Sequence, residues 1–573
     1  MTMRSTTINN LLPGLQVVRN YRSEWFSSDL LAGLSVAAVA LPIGIAYAQL
    51  AGFPPVVGIY SCVLPPVAYA LFGSSRQLIV NPDAAACAIV ASTVAPLAAG
   101  DPGRYLDLAI ALTLMTGVLC IAGGLAGFGA IANFLSRPIL TGYLNGIALS
   151  IIVGQLGKLF GFDVPSAGFF RTIAAVALRI NETHFATAAV GISFVIVLVL
   201  IRRYFRRIPG PLIAAIGGIA IVYIWNLSAA GVATVGEVPP GFRAPQIPSV
   251  HFDELSPLLL GSAGIVLVSF CSMMTTARGF AAKNGYSIDA NRDMAALGVC
   301  DLASGFTHGF VVSGADSRTA VADSSGGKSQ VTGLIAAAAM AAVLMFFTAP
   351  LAFLPIAALA AILVSSAFGL FDFESLRRYY RLSKPEFRHS IIAMLGVMTI
   401  GVLPGVLVAV TLAILNLLRN GSHPHDALLT QVEGVEGVYD SEEHGGGPAI
   451  DGLIIYRFDA SLLFFNSDHF KERVRTVVTN AETKPSWFLL DAEAMAGLDV
   501  TGSDALESLH DDMADRGIVF AIARAKGRFR SMLELCGLAE KIGSEYLFPT
   551  VHAGALAFHA SSAADRAQVA NSS

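Results

Sequence analysis

Between Leu30 and Leu418 the chain keeps returning to long apolar runs, the clearest at 30–50, 105–128, 186–201, 330–349 and 403–418. About 20 apolar residues make a helix long enough to cross the hydrocarbon core of a bilayer. No water lies there to satisfy backbone N–H and C=O groups, so a run of this length closes its hydrogen bonds on itself as a helix. With the shorter runs broken by Pro or Gly included, the segment holds about 14 spans. Composition agrees. Of 573 residues, 54% are hydrophobic and 14% charged, against about 25% charged in a soluble protein. Lipid must therefore cover much of the surface. The formal net charge of −4 leaves no footprint for nucleic acid.

Basic residues orient the spans. Arg19 and Arg22 precede the first, RRYFRR (202–207) follows the sixth, and Arg377, Arg378, Arg381, Lys384 and Arg388 lie between the twelfth and thirteenth. With 14 spans these clusters share one side with both termini, and their positive charge makes that side the cytosol. The N-terminus lacks the short apolar core and A-x-A site of a cleavable signal, so the first run is expected to remain as a span. The six cysteines show no CxxC or zinc-like spacing, and no nucleotide loop, nucleophile–base pair or haem spacing occurs. Neither metal nor cofactor is expected, and no enzyme activity.

Two segments break the pattern: LIVNPDAAACAIVAST (78–93) and FVVSGADSRTAVADSSGGKSQ (310–330). Each has a short β-branched run, a turn, and then an acidic residue opening a helix too short to span alone. Irregular backbone survives at membrane depth only where protein or a water-filled cavity satisfies it. Broken spans at matching places in two halves point to a transporter site. One is third among the first seven spans and the other third among the second seven. Two inverted seven-span repeats follow, about 29–228 and about 255–420, within a membrane domain at 29–420 that a cytosolic segment (1–28) precedes.

After Leu418 the chain changes character. Residues 421–449 read as a linker ending in GGG. Strand-like GLIIYRF (452–458), SWFLLDAE (486–493) and IVFAIAR (518–524) then alternate with amphipathic helices. That pattern predicts a small α/β domain over 450–560, followed by a disordered tail at 561–573.

Several motifs resemble the SulP family of anion transporters, sulfate permeases that join a 14-span membrane domain to a C-terminal STAS domain. They are LPIGIAYAQLAGFPPVVGIYSCVLP (41–65), SRTAV (317–321), YRFDASLLFFNSDHFKERV (456–474) and LLDAEAMAGLDVTGSDAL (489–506). The resemblance covers nearly the whole chain. It implies half-helices whose N-termini share an anion near the membrane centre, and a STAS domain used for dimer contacts and regulation.

A helix N-terminus carries unpaired N–H groups and about half a positive charge, so two facing ends bind an anion without a dedicated cation. The backbone at 82–86 and 315–319 would supply them, with Ala84, Ala85 and Ala315 small enough for close approach and Ser317 and Thr319 in the same turn. Small residues also suit simple helix packing. Arg318 sits where a helix dipole disfavours a cation and lipid disfavours any charge; an anion, or an ion pair with Asp316, would relieve both. Asp83 and Asp316 stand where helix caps belong. A protonated Asp83 would instead admit the anion together with its proton, and both readings stay open. The resemblance gives Tyr47 a place on the site wall, and ordinary packing of its ring is the alternative. At Ser272 many relatives carry an acid used in coupling, so coupling here has either moved to Asp83 or is absent. Ser272, Thr275 and Thr276 could donate hydroxyls to the site or bond their own helix. Thr501 matches a regulatory phosphorylation position of related domains and also fits a helix cap.

The expected function is secondary active transport of a small inorganic or carboxylic anion, with sulfate as default and with or without protons. Access would alternate by an elevator movement of the site against spans five to seven and twelve to fourteen. The expected setting is a lipid bilayer, the bacterial inner membrane, with both termini and the STAS domain cytosolic and the chain a homodimer. The rivals are bicarbonate, chloride or dicarboxylate transport, a nucleobase-type transporter, and a non-transporting anion channel or sensor.

Overall fold

The computed structural model describes residues 21–133, 137–164, 168–205, 209–246, 248–431, 438–440 and 450–572. Most of the N-terminal segment and much of the linker lie outside them. The chain divides into two units, Met1–Ala413 and Ile414–Ser573.

The first unit is helical. It runs α1 (Phe26–Leu50), α2 (Pro55–Tyr60), α3 (Leu64–Phe72), β1 (Val80–Asn81), α4 (Ala84–Ala98), α5 (Pro102–Leu125), α6 (Arg137–Phe160), α7 (Phe169–Leu178), α8 (Phe185–Tyr204) and α9 (Gly210–Trp225). A second series follows: α10 (Leu255–Asn284), α11 (Ala290–Phe306), β2 (Ser313–Gly314), α12 (Asp316–Ser324), α13 (Val331–Phe346), α14 (Ile356–Leu370), α15 (Phe373–Leu382), α16 (Lys384–Ile400) and α17 (Val402–Ser422). Among the described residues, seven helical segments are long and apolar enough to cross a membrane, and four shorter apolar helices accompany them.

The expected spans map onto these elements. Taking α2 with α3 and each short strand with its helix, the first series gives seven segments (α1, α2/α3, β1/α4, α5, α6, α8, α9). The second gives seven more (α10, α11, β2/α12, α13, α14, α16, α17). Packing repeats with the halves exchanged. The fourth segment, α5, packs on α10 and α11; its counterpart α13 packs on α1 and α3. The third, α4, packs on α10, and its counterpart α12 packs on α1. This is the reciprocity an inverted repeat produces.

Small residues set the closest approaches. A Cβ on Gly58 would lie 2.0 Å from the Gly44 carbonyl oxygen, and one on Gly142 would lie 1.9 Å from that of Ser390. The Gly44 and Gly58 of the 41–65 motif thus bring α1 and α2 into backbone contact.

The second unit is a six-stranded mixed sheet in the order β4-β3-β5-β6-β7-β8. Its strands are β3 (Asp426–Gln431), β4 (Val438–Asp440), β5 (Leu453–Phe458), β6 (Trp487–Asp491), β7 (Val519–Ala523) and β8 (Leu547–Phe548), and its helices are α18 (Ser467–Thr479), α19 (Val500–Asp515), α20 (Gly527–Leu535), α21 (Leu538–Ile542) and α22 (Val551–Ser572). Strands β5 to β8 are parallel, and β3 runs antiparallel to both β4 and β5. Alternation along β5 sends Tyr456 and Phe458 to one face with Phe470 and Leu506, and Leu453 and Ile455 to the other with Trp487 and Phe558.

Two boundaries differ from those read in the sequence. The described part of the expected linker holds β3 and β4, because the short apolar run Ala427–Leu429 buries Ala427 and Leu429 on one face and β3 pairs with the edge of β5. The expected disordered tail continues helix α22, consistent with its alanine content.

Candidate functional site

Strands β1 and β2 pair antiparallel, with Val80 opposite Gly314 and Asn81 opposite Ser313. Each strand ends a few residues before a helix begins, so the starts of α4 and α12 are brought to one place. Neither helix spans alone: α4 has 15 residues and α12 has nine. The strands are further tied by Ala315 N–H donating to the Ile79 carbonyl at 2.9 Å and Ile79 N–H donating to Thr319 Oγ1 at 3.0 Å.

Arg318 lies in the first turn of α12, 3% exposed. Its Nη2 donates to the Pro82 carbonyl, just before α4. Its Nη1 donates to Ser317 Oγ at 3.3 Å, and its guanidinium sits 5.6 Å from the centre of the Tyr47 ring. Its Nε is buried and has no hydrogen-bond partner among the described residues. Among the described residues it pairs with no carboxylate, so the ion pair with Asp316 is not formed. A buried cation at a helix N-terminus with a spare donor has the chemistry of an anion contact.

The neighbouring acids divide. Asp83 is the N-cap of α4 and accepts the Ala85 N–H at 3.2 Å. The carboxylate thus occupies an N–H that a bound anion would also seek. Asp316 does not cap α12, which starts from Ala315 without a side-chain cap; its Oδ1 instead accepts the Thr276 hydroxyl from α10. Thr276 also donates to the Ser272 carbonyl at 3.2 Å, and Thr275 donates to the Cys271 carbonyl at 2.9 Å. Thr275 therefore bonds its own helix. Ala84, Ala85, Ala315, Tyr47 and Ser272 are buried, while Asp316 and Ser317 are exposed. Thr319 is fully buried, and its hydroxyl clamps β1.

Sequence reasoning missed the acids that brace this site. Asp29 on α1 accepts the N–H of Lys328 at 2.6 Å and the hydroxyls of Ser329 and Thr332 at 2.7 and 3.0 Å. Asp293 on α11 accepts the Tyr69 hydroxyl at 3.0 Å and the Ser74 N–H at 2.7 Å. Asp301 accepts the N–H of Val312, next to β2, at 2.9 Å. An acid at the edge of an apolar run was the available signal, but not these partners, which are 219 or more positions away for Asp29 and Asp293.

In the second unit Asp499 caps α19, accepting the Gly502 N–H at 2.8 Å. Thr501 is exposed in the first turn and is not the cap.

The profile of the Sulfate permease family matches residues 26–413, the whole of the helical unit that carries these half-helices. The chain belongs to the sulfate permease family. The STAS domain profile matches 448–554. A Mycobacterium tuberculosis chain named "Probable sulfate transporter" is 40% identical over 95% of this chain and 98% of its own length. Murine Slc26a9, an anion transporter solved in the inward-facing state, superposes with a TM-score of 0.90 at 24% identity over 97% of this chain and 95% of its own. The transmembrane domain of the cyanobacterial bicarbonate transporter BicA gives 0.61 at 23% identity over 69% of this chain and 98% of its own. The last two establish a shared fold. As a sulfate permease family member the protein is a membrane-embedded anion transporter and not an enzyme.

Proposed function

We propose that the protein is a secondary active transporter that carries sulfate at the junction of α4 and α12, with Arg318 as its cationic contact. The observation that carries this reading is the buried Arg318 guanidinium between two helix starts, its Nε without a hydrogen-bond partner among the described residues. The backbone N–H groups of Ala84, Ala85, Asp316 and Ser317 would share the anion, and Tyr47 would wall it. The relatives named sulfate transporters favour sulfate among small anions.

Asp83 supports coupling to protons. As a carboxylate it caps the Ala85 N–H and repels an anion; protonated, it keeps an oxygen for the cap and no longer repels. Sulfate and a proton would then enter together. The site-bearing helices would move as one body against α6, α8, α9, α14, α16 and α17. The protein would reside as a homodimer in a bacterial inner membrane, both termini and the STAS domain cytosolic, the side the positive-inside rule gives to the basic clusters.

The test is uptake of radiolabelled sulfate into proteoliposomes, with and without a proton gradient, with bicarbonate, chloride and dicarboxylates as competitors. Saturable, gradient-driven uptake inhibited least by chloride supports the reading. Stronger competition by bicarbonate reassigns the substrate. No uptake of any of the four overturns it.

A further inference from the structure

A cavity of about 410 Å³ opens beside the start of α1, lined by Trp25, Arg76, Ser287, Asp289, Arg292 and Lys328 among others. It is separate from the anion junction. Its floor is the chain at 73–78 that leads into β1. That floor is fixed from three sides. Gln330 donates to the carbonyls of Ser75 and Leu78 at 2.9 and 2.8 Å. The Tyr286 hydroxyl accepts the Arg76 N–H at 3.1 Å and donates to Gln77 Oε1 at 2.5 Å. Asp293 holds the Ser74 N–H and hydroxyl. The walls are therefore pre-formed.

Charge in the cavity is one-sided. Arg76 and Lys328 face one lining carboxylate, and that carboxylate is engaged: Asp289 Oδ1 accepts the N–H groups of Asn291 and Arg292, capping α11. Arg76 stacks 5.2 Å from the centre of the Tyr286 ring, and neither it nor Lys328 pairs with a carboxylate among the described residues. Two exposed cations, neither in a salt bridge among the described residues, over a rigid polar floor form a receptor for a multivalent anion. The cavity also sits at a membrane boundary. Trp25, with Arg22 5.7 Å over its ring, is the type of residue that anchors at headgroup level. The turns that follow it are an exposed apolar flank: Phe26 is 52%, Leu31 62% and Leu34 50% exposed. Basic pockets at this depth suit phosphate headgroups.

We propose that this cavity binds a phosphate group, carried by an anionic lipid headgroup or by a soluble phosphate ester, and holds it against the strand that leads to the transport site. The test uses the full chain in uncharged detergent, with binding followed by microscale thermophoresis. The probes are short-chain phosphatidylglycerol, short-chain phosphatidylcholine, glycerol 3-phosphate and inorganic phosphate. The variants are Arg76→Gln/Lys328→Gln and, as an equal change of charge elsewhere, Arg378→Gln/Arg381→Gln on α15. Each cation is worth about 1 kcal/mol against an anionic headgroup, so the double variant is expected to bind about thirtyfold more weakly. Arg76→Gln alone, at about fivefold, serves if the double variant elutes as aggregate. A loss seen for phosphatidylglycerol alone assigns the lipid source. The same loss for the soluble phosphates assigns a soluble ligand. No loss, or an equal loss in the α15 control, overturns the site.

Discussion

Replacing Arg318 separates an anion contact from a structural tie. In Arg318→Ala the transported anion loses at least one charge-assisted hydrogen bond, worth about 1.5–3 kcal/mol, and KM for sulfate should rise roughly 10- to 150-fold. The empty protein faces two opposing changes. Removing a charge from membrane depth saves at least about 2.5–3.5 kcal/mol. The Pro82 carbonyl, now without its donor, costs about 1–3 kcal/mol. The saving matches or exceeds the cost, so the melting temperature without sulfate should not fall, while the rise that sulfate induces in the parent should vanish. Arg318→Lys keeps the charge but loses the planar fork that reaches Pro82 and Ser317 together, and should fall between the two. The assays are concentration-dependent sulfate uptake into proteoliposomes and thermal unfolding in detergent with and without sulfate. A melting temperature that drops several degrees with KM unchanged would show Arg318 to be a brace, and the anion reading would fail.

Other substitutions probe the parts around it. Asp83→Asn keeps an oxygen that can cap α4, and should leave the fold intact while uptake loses its dependence on external pH; an unaltered pH profile refutes the coupling role. Thr319→Val strands the buried Ile79 N–H at a cost of about 1–3 kcal/mol, and Thr319→Ser should restore the melting temperature. Gly58→Ala drives a Cβ into the Gly44 carbonyl oxygen, an overpacking of about 1–3 kcal/mol or more, and should lower the yield of monodisperse protein. In the STAS domain, burial raises the Asp459 carboxyl pKa, but hydrogen bonds from Arg457 and His425 outweigh it and hold the carboxyl below its ordinary range. A depressed pKa stabilises above the unfolded value of about 3.9 and the benefit fades as pH falls through the folded value. The melting difference between parent and Asp459→Asn should therefore be full at neutral pH and close below about pH 4.

What the sequence could show depended on how far apart the partners lie. Spans, half-helices and the exposed basic clusters are written in contiguous residues, and lipid enforces them. Arg318 stood out because a charge in an apolar setting needs a reason within its own turn. The roles of Thr319, Asp29 and Asp293 were hidden because each bonds backbone or hydroxyls that are 219 to 303 positions away. Thr319 in the SRTAV motif reads as a site residue from its neighbours alone, yet its hydroxyl faces Ile79. Strand β3 was read as linker because Gly, His and acidic residues flank it, and its pairing with β5 is not local. Of the two readings of Thr501, a regulatory position or a helix cap, the cap falls to Asp499, two residues earlier, which reaches the Gly502 N–H.

The distribution of directional bonds bears on how access alternates. The bonds that shape the junction join one repeat to the other: Ala315 to Ile79, Ile79 to Thr319, Arg318 to Pro82. The bracing does the same. Asp29 at the start of α1 holds the loop into α13, and Arg104 at the start of α5 pairs with Glu254 ahead of α10. A rocking motion that parted the repeats would break all of these, leaving donors and acceptors open at about 1–3 kcal/mol each. The contacts of α1 with α9 and α14, and of α4 with α6, are made instead by apolar residues of one continuous core. Apolar contact is non-directional, so sliding along it strands no buried donor. Bonds within α1–α5 and α10–α13, and smooth faces towards the remaining helices, favour carriage of the anion by that group as one body over hinging at the site itself.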